Sequence, residues 1–147
     1  MDNDNNYYNE SKIKWSDELN TGNEIIDTQH LKIFKITNNF IEAYLQENSK
    51  EILGDMLDFL IEYTIEHFLY EEKLMIEYNY PKFEYHKKCH EDFKDIVGEF
   101  KSEFEIQGAT ENLNKKLSGI IVRWLIIHIK HEDFKIAKYI RGESKDN

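Results

Sequence analysis

Length, composition and charge narrow the classes of protein to which this chain can belong. It has 147 residues, and because a domain usually has roughly 100–200 residues, one domain is expected. With 19 Lys and Arg against 29 Asp and Glu, the formal charge is −10. This balance argues against nucleic-acid binding and against a polybasic membrane-surface protein. A hydrophobic content of 40% is too high for a disordered chain.

The single cysteine and the polar amino terminus bear on the compartment. One cysteine cannot form an internal disulfide or a cysteine-based zinc cage, and it suits a reducing compartment. The first six residues lack the basic start and apolar stretch of a secretion signal. The longest apolar run, residues 119–129, is too short to span a bilayer. We therefore predict a cytoplasmic protein with no nucleic-acid or membrane partner.

Apolar residues recur at three- and four-residue spacing over four long stretches, which indicates helices. The first stretch covers residues 23–45. The second starts near Asn48 and Ser49, whose short polar side chains can cap a helix, and it ends before Pro81. A third follows, and Thr110 is the predicted cap of the fourth.

The helices and their short connections predict the fold class. No stretch alternates between polar and apolar residues, so strands are not expected. Four amphipathic helices joined by a few residues predict an all-α, antiparallel up-down-up-down four-helix bundle. We expect this bundle over residues 23–141, an N-terminal arm over residues 1–22 and a disordered tail over residues 142–147. Trp15 and Leu19 of the arm can dock on the bundle.

Each predicted helix turns at least one histidine toward the core. Residues four apart on a helix share a face. Two pairs have this spacing and lie on apolar faces, and two further histidines lie one turn from apolar residues of the first and fourth helices. The inward-facing groups are His30, His67, Glu71, His86, His90 and His128.

So many inward-facing polar groups indicate a metal site. A single inward histidine is usually a hydrogen-bonded core residue. Five of them on four helices, together with a carboxylate, would be costly to bury without partners. Metal offsets this cost, because neutral imidazole nitrogens and carboxylate oxygens are natural metal ligands.

The candidate ligands fall in four short motifs that follow one another along the chain. The first is the DTQH segment at residues 27–30. Residues 67–71 then form HxxxE and residues 86–90 form HxxxH. Residues 124–133 contain a tryptophan followed by HxxxxD. Each motif alone is weak, but their order and intervals together resemble the hemerythrin-like family, in its single-domain bacterial form, over residues 15–140.

The resemblance implies a non-haem di-iron centre, in which two iron ions are bridged by oxide or hydroxide and by two carboxylates. The implied ligands are His86, His90 and His128 on one iron, His30 and His67 on the other, and Glu71 and Asp133 on both. This assignment leaves one coordination position open at the two-histidine iron. In the family, O2 binds there reversibly.

Asp133 does not fit this site on an ideal helix. It follows His128 by five residues, which corresponds to about 140° around the helix axis. Both side chains can reach one metal pair only if the helix ends or kinks between them. We therefore predict that the helix stops near His131 and that a short C-terminal helix begins around Asp133.

An apolar pocket beside the open position would exclude water and slow oxidation. Its expected residues, which also fit an ordinary core, are Ile33, Phe68, Trp124, Leu125 and Ile129. The predicted function is reversible O2 binding for storage, delivery or sensing, without enzymatic activity. A separate redox or signalling partner stays open. The alternatives are a di-iron enzyme that reduces nitric oxide or peroxide, and a store for iron or another metal.

Three residues near these motifs are not assigned to the site. His131 follows His128 by three residues and is interpreted as a surface residue. Cys89 points about 100° away from the face of the neighbouring histidines and is interpreted as a packing residue. Asp27 could orient His30 or compensate the charge of the helix start, and both roles stay open.

Overall fold

The structure is a computed structural model, and it describes residues 20–142, without the side chains of residues 120–122. Every regular element within that range is helical, which confirms the predicted all-α helical bundle. None of these helices is long and apolar enough to cross a membrane. The predicted docking of Trp15 and Leu19 lies outside the described residues, and so does the tail from residue 143. The division into arm, bundle and tail stays a prediction.

Three long helices form the first part of the bundle. They are α1 (Glu24–Leu45), α2 (Leu53–Glu77) and α3 (Phe83–Gln107). Helix α1 begins where predicted, because the side chain of Asn23 accepts a hydrogen bond from the backbone N–H of Ile26 at 3.0 Å. The connections between the helices are short, so successive helices are antiparallel neighbours.

The fourth helix is one continuous helical run of mixed hydrogen-bonding type. It consists of α4 (Glu111–Lys116), a first π-helical segment (Leu117–Ile121), α5 (Val122–Ile127), a second π-helical segment (His128–Asp133) and α6 (Phe134–Ile140). A π-helix bonds each residue to the fifth one along instead of the fourth. Each π segment therefore changes which later residues of this run face the core.

Two predicted helix ends are confirmed. The hydroxyl of Thr110 accepts from the backbone N–H of Leu113 at 3.1 Å and so caps α4. Helix α2 ends at Glu77, shortly before Pro81, which restricts the preceding residue to extended conformations.

Helix α2 begins later than predicted. The Ser49 hydroxyl is buried and donates to Asn114 Oδ1 at 2.6 Å, so it links the connection between α1 and α2 to the start of the fourth helix and does not cap α2. A short 3₁₀ turn, Ser49–Glu51, comes first, and α2 starts at Leu53. The prediction that Asn48 and Ser49 start this helix was wrong because a tertiary hydrogen bond takes the serine side chain.

One hydrophobic core joins the four helices and reaches the histidines. Its fully buried residues include Phe40, Leu53, Leu57, Leu60, Phe93, Leu113 and Leu117. Ile33, Phe68 and Leu125 belong to the same core. Because Phe68 belongs to this core and stacks on His90, the core continues into the histidine-rich region. The candidate site therefore lies in an apolar surrounding.

Two glycines at α3 allow a matched test of backbone conformation. Gly108 follows the helix with φ +75° and ψ −164°, a region that is essentially restricted to glycine. Gly98 lies inside the helix and is exposed. Among the described residues, a Cβ atom added at either position meets no atom within 4 Å. A substitution at either site therefore reports on the backbone alone.

We expect Gly108→Ala and Gly98→Ala to change the free energy of unfolding in opposite directions. Gly108→Ala should lower it by about 1–3 kcal/mol because alanine is strained at this φ and ψ. Gly98→Ala should raise it by about 0.5–1 kcal/mol because alanine is the better helix former. Urea denaturation of both variants measures these changes. Equal effects at the two positions would contradict the assigned backbone conformations.

Candidate metal centre

Helices α1 and α2 bring three of the predicted ligands into the core. His30 is fully buried on α1, on the same face as the core residue Ile33. His67 and Glu71 are one helical turn apart on α2, and both are buried. Their spacing places them on one face of α2, as the sequence pattern predicts.

Helix α3 and the fourth helix supply the other four predicted ligands. His86 and His90 are one turn apart on α3, and both are buried. His128 and Asp133 are the first and last residues of the second π-helical segment. Their relative exposures are 4% and 0%, so this segment also turns both side chains inward.

The fourth helix does not stop near His131, and that prediction was wrong. The residues on either side of the second π-helical segment, Ile127 and Phe134, keep right-handed helical φ and ψ angles. In a π-helix, i→i+5 hydrogen bonding widens the turn and brings residues five apart much nearer to one face than an α-helix does. His128 and Asp133 therefore share a face without any break. A helix does follow Asp133, as expected, but it continues the same run.

The seven side chains form two overlapping groups. In each group, one potential ligand atom from every residue lies within 4.8 Å of the others. The larger group contains Glu71, His86, His90, His128 and Asp133. The smaller group contains His30, His67, Glu71 and Asp133. The two groups share both carboxylates, so Glu71 and Asp133 lie between three imidazoles on one side and two on the other.

Several imidazole nitrogens approach these carboxylates without forming hydrogen bonds. His67 Nε2 lies 3.3 Å from Glu71 Oε2. His86 Nε2 and His128 Nε2 lie 3.2 and 3.0 Å from Asp133 Oδ1. None of these three nitrogens has a hydrogen-bond partner among residues 20–142. Buried polar atoms rarely remain without one. Converging imidazole nitrogens and carboxylate oxygens are a metal donor set, so the residues fit bound metal ions.

The pKa values of the site also favour bound metal ions. Burial and the mutual repulsion of the carboxylates raise the pKa of Glu71, but the imidazoles of His67 and His86 outweigh this and hold the pKa below its usual range. Burial also raises the pKa of Asp133, and His128 lowers it well below the usual value. Burial lowers the pKa values of His67 and His86, but the two carboxylates raise both to about 10. Two ionised carboxylates therefore require positive charge beside them.

A comparison with protein families identifies the kind of domain that carries this site. Residues 21–140 match the family model described as the hemerythrin HHE cation binding domain. The chain belongs to the hemerythrin family. The match covers every helix among residues 20–142 and all seven converging side chains, so a buried cation site is what this family description leads one to expect.

Similar proteins carry the name bacteriohemerythrin. The chain is 36% identical over 129 residues to the bacteriohemerythrin of Pseudomonas aeruginosa, which is 88% of this chain and 82% of that protein. It is 34% identical over 130 residues to that of Stenotrophomonas maltophilia, with the same coverage of 88% and 82%. It is 30% identical over 116 residues to that of Methylococcus capsulatus, which is 79% of this chain and 86% of that protein.

Two residues outside the predicted set fix imidazoles of this hemerythrin-family site. Gln29 Oε1 lies 2.6 Å from His67 Nδ1, and Glu72 Oε2 lies 2.8 Å from His90 Nδ1. Both are acceptors on the ring nitrogen that faces away from the cluster. Sequence reasoning missed them, because they contact histidines on other helices. In the sequence, only their positions next to His30 and Glu71 could have pointed to Gln29 and Glu72.

Asp27 holds the start of α1. Its carboxylate accepts hydrogen bonds from the backbone N–H and the hydroxyl of Thr21, at 2.9 and 2.8 Å. It also accepts from the backbone N–H of Gly22 at 3.3 Å. Asp27 lies in the first turn of α1, where negative charge is favourable. Of the two roles left open from the sequence, these contacts favour the one at the helix start.

Aromatic side chains pack directly on the imidazoles. Phe68 stacks on His90, with ring centroids 3.9 Å apart, and Trp124 stacks on His128 at 4.5 Å. Phe68 and Trp124 also contact each other edge to face. These contacts restrict the rotation of two potential ligands.

The residues of the expected apolar pocket lie in the core. Four of the five are buried, and Trp124 is half-buried. Phe68 and Trp124 touch the imidazoles, and the expected set is completed by Ile33, Leu125 and Ile129. A role of these residues as an O2 pocket stays a prediction.

Two residues left outside the site have surroundings that differ from those of the ligands. His131 is exposed. Cys89 is half-buried. Burial raises the pKa of this thiol, which favours its protonated form.

Proposed function

We propose that this chain binds O2 reversibly at a non-haem di-iron centre. The observation that carries the proposal is the pair of overlapping groups that share Glu71 and Asp133 and contain three and two histidines. Because one group has fewer histidines than the other, the metal ion that it holds would keep room for a ligand from outside. Membership of the hemerythrin family also supports the proposal.

The two metal positions have different numbers of ligands from the chain. The larger group offers five side chains to one metal ion, and the smaller group offers four to the other. With one further oxide or hydroxide ligand, the larger position would be closed and the smaller one would keep a place for a ligand from outside. An open place of this kind is typical of a site that binds a small molecule. The position held by His30 and His67 is therefore the proposed O2 site.

The chain also supplies the surroundings that a reversible site needs. When bound, two iron ions supply the electrons that O2 takes up and returns. The apolar core around Ile33, Phe68 and Leu125 excludes water from the centre. Phe68 and Trp124 hold the imidazoles of His90 and His128 in place by stacking. With only two carboxylates among seven ligands, the set has little anionic charge to stabilise high-valent iron. We therefore favour binding over oxidation chemistry.

The proposal covers storage, delivery or sensing of O2, and O2 is the proposed ligand. The alternatives from the sequence are an enzyme that reduces nitric oxide or peroxide, and a store for iron or another metal. All three candidate functions would use the same seven side chains. The behaviour of the iron-containing protein in air therefore has to distinguish them.

Visible spectra of the iron-containing protein test the proposal. We expect a coloured form in air that bleaches under argon and returns in air over repeated cycles. Irreversible oxidation with turnover of nitric oxide or peroxide would contradict reversible binding and favour the enzyme. A spectrum without bands of oxo-bridged iron would contradict both and favour a metal store.

Replacement of one ligand tests the assignment of the open position. We expect His67→Ala to reduce bound iron from two ions to about one per chain and to abolish O2 binding, because the smaller position loses one of its two imidazoles. Elemental analysis and the air–argon cycle measure these effects.

His131→Ala is the matched control, since it removes an exposed imidazole close to the cluster in sequence. It should keep both iron ions and full O2 binding. Normal O2 binding by His67→Ala would show that the position of the open site is wrong.

A further inference from the structure

The outer nitrogens of two imidazoles have acceptors of different charge. His67, in the smaller group, faces the neutral amide oxygen of Gln29. His90, in the larger group, faces the carboxylate of Glu72. Each ring carries a proton on Nδ1 for this bond, so the lone pair of Nε2 points toward the cluster when the imidazole is neutral. The two acceptors thus fix the same tautomer at the two positions.

The two acceptors follow one structural pattern. Gln29 on α1 lies next to His30 in sequence and reaches His67 on α2. Glu72 on α2 lies next to Glu71 and reaches His90 on α3. In both cases, the neighbour of one potential ligand holds a ligand on the following helix. The position of each helix is therefore coupled to the orientation of the next imidazole.

The two acceptors differ in charge, because Glu72 offers a carboxylate and Gln29 a neutral amide. The Glu72 side chain is only 14% exposed and His90 is fully buried, so water screens this hydrogen bond weakly. A hydrogen bond to a carboxylate is roughly twice as strong as one between neutral groups. It also draws the Nδ1 proton away from the ring and so makes Nε2 a stronger donor to a metal ion. The amide of Gln29 does this to a smaller extent.

We propose that Gln29 and Glu72 are positioning residues that make the two metal positions electronically unequal. Glu72 strengthens the donation of His90 to the three-histidine position, which favours the higher oxidation state there. Gln29 orients His67 but leaves it a weaker donor, so the two-histidine position stays the more electrophilic one. The inference rests on the proposed pair of metal ions, but it does not require that O2 binds.

Exchange of the two acceptor types tests the proposal. Gln29→Glu and Glu72→Gln keep the shape of the side chain and change its charge. In the iron-containing protein, we expect Gln29→Glu to lower the midpoint potential of the ferric–ferrous couple and Glu72→Gln to raise it. Spectroelectrochemical titration under argon measures both shifts. Thr28→Glu and Glu91→Gln are matched controls, because they make the same charge changes at neighbouring exposed positions.

Metal retention provides a second readout. Gln29→Ala and Glu72→Ala remove the acceptors and should weaken Fe(II) binding about 10–100-fold, measured by competition with a chelator. Gln29→Glu should restore retention to at least the original level, since the carboxylate still accepts from His67. Circular dichroism melting of each variant confirms that the bundle is folded.

Three results would overturn the inference. The first is a change of midpoint potential with the same sign in Gln29→Glu and Glu72→Gln. The second is a change of midpoint potential no larger than in the two charge controls. The third is a loss of Fe(II) retention in the alanine variants without any change of midpoint potential in the exchange variants. Failure of the proposed function gives a different result. In that case the air–argon cycle of the unmodified protein shows no reversible colour, while the opposite shifts in potential persist.

Discussion

Two ionised carboxylates in the middle of an apolar core are the constraint on which the rest of this structure depends. Glu71 and Asp133 are completely buried, and they are close enough to repel each other. Ionised groups in such a place are tolerated only beside positive charge. Five imidazoles surround them, and bound metal cations would meet the same need with imidazoles that are neutral. The four helices therefore have to be positioned so that seven polar side chains meet in one site.

The second π-helical segment shows how the backbone adapts to this requirement. On a regular α-helix, Asp133 would point about 140° away from His128. A π-helical turn reduces this mismatch while the helix continues into α6. The less favourable backbone geometry falls in the segment that carries the shared carboxylate Asp133, and π-turns inside α-helices are frequent at functional sites. The π-helical form of this segment is thus linked to the need to turn both His128 and Asp133 into the site.

Much of the site could be predicted from the sequence, because helical periodicity is local. The four-residue spacing of His67 and Glu71 and of His86 and His90 specified one face on each helix, and the structure brings these faces together. Local patterns could not reveal the π turn, since the sequence does not state which hydrogen bonds a helix makes. They could not reveal Gln29 and Glu72 either. Those contacts depend on the rotation of neighbouring helices, and so does the bond that takes Ser49 away from α2.

The central claim is that two metal ions share Glu71 and Asp133 between three and two histidines. A crystal structure of the iron-containing protein, with anomalous data collected at the iron absorption edge, tests it most directly. The account predicts two anomalous peaks, one beside His86, His90 and His128 and the other beside His30 and His67, with both carboxylates touching both peaks. A single peak, or two peaks without a shared carboxylate, would contradict it.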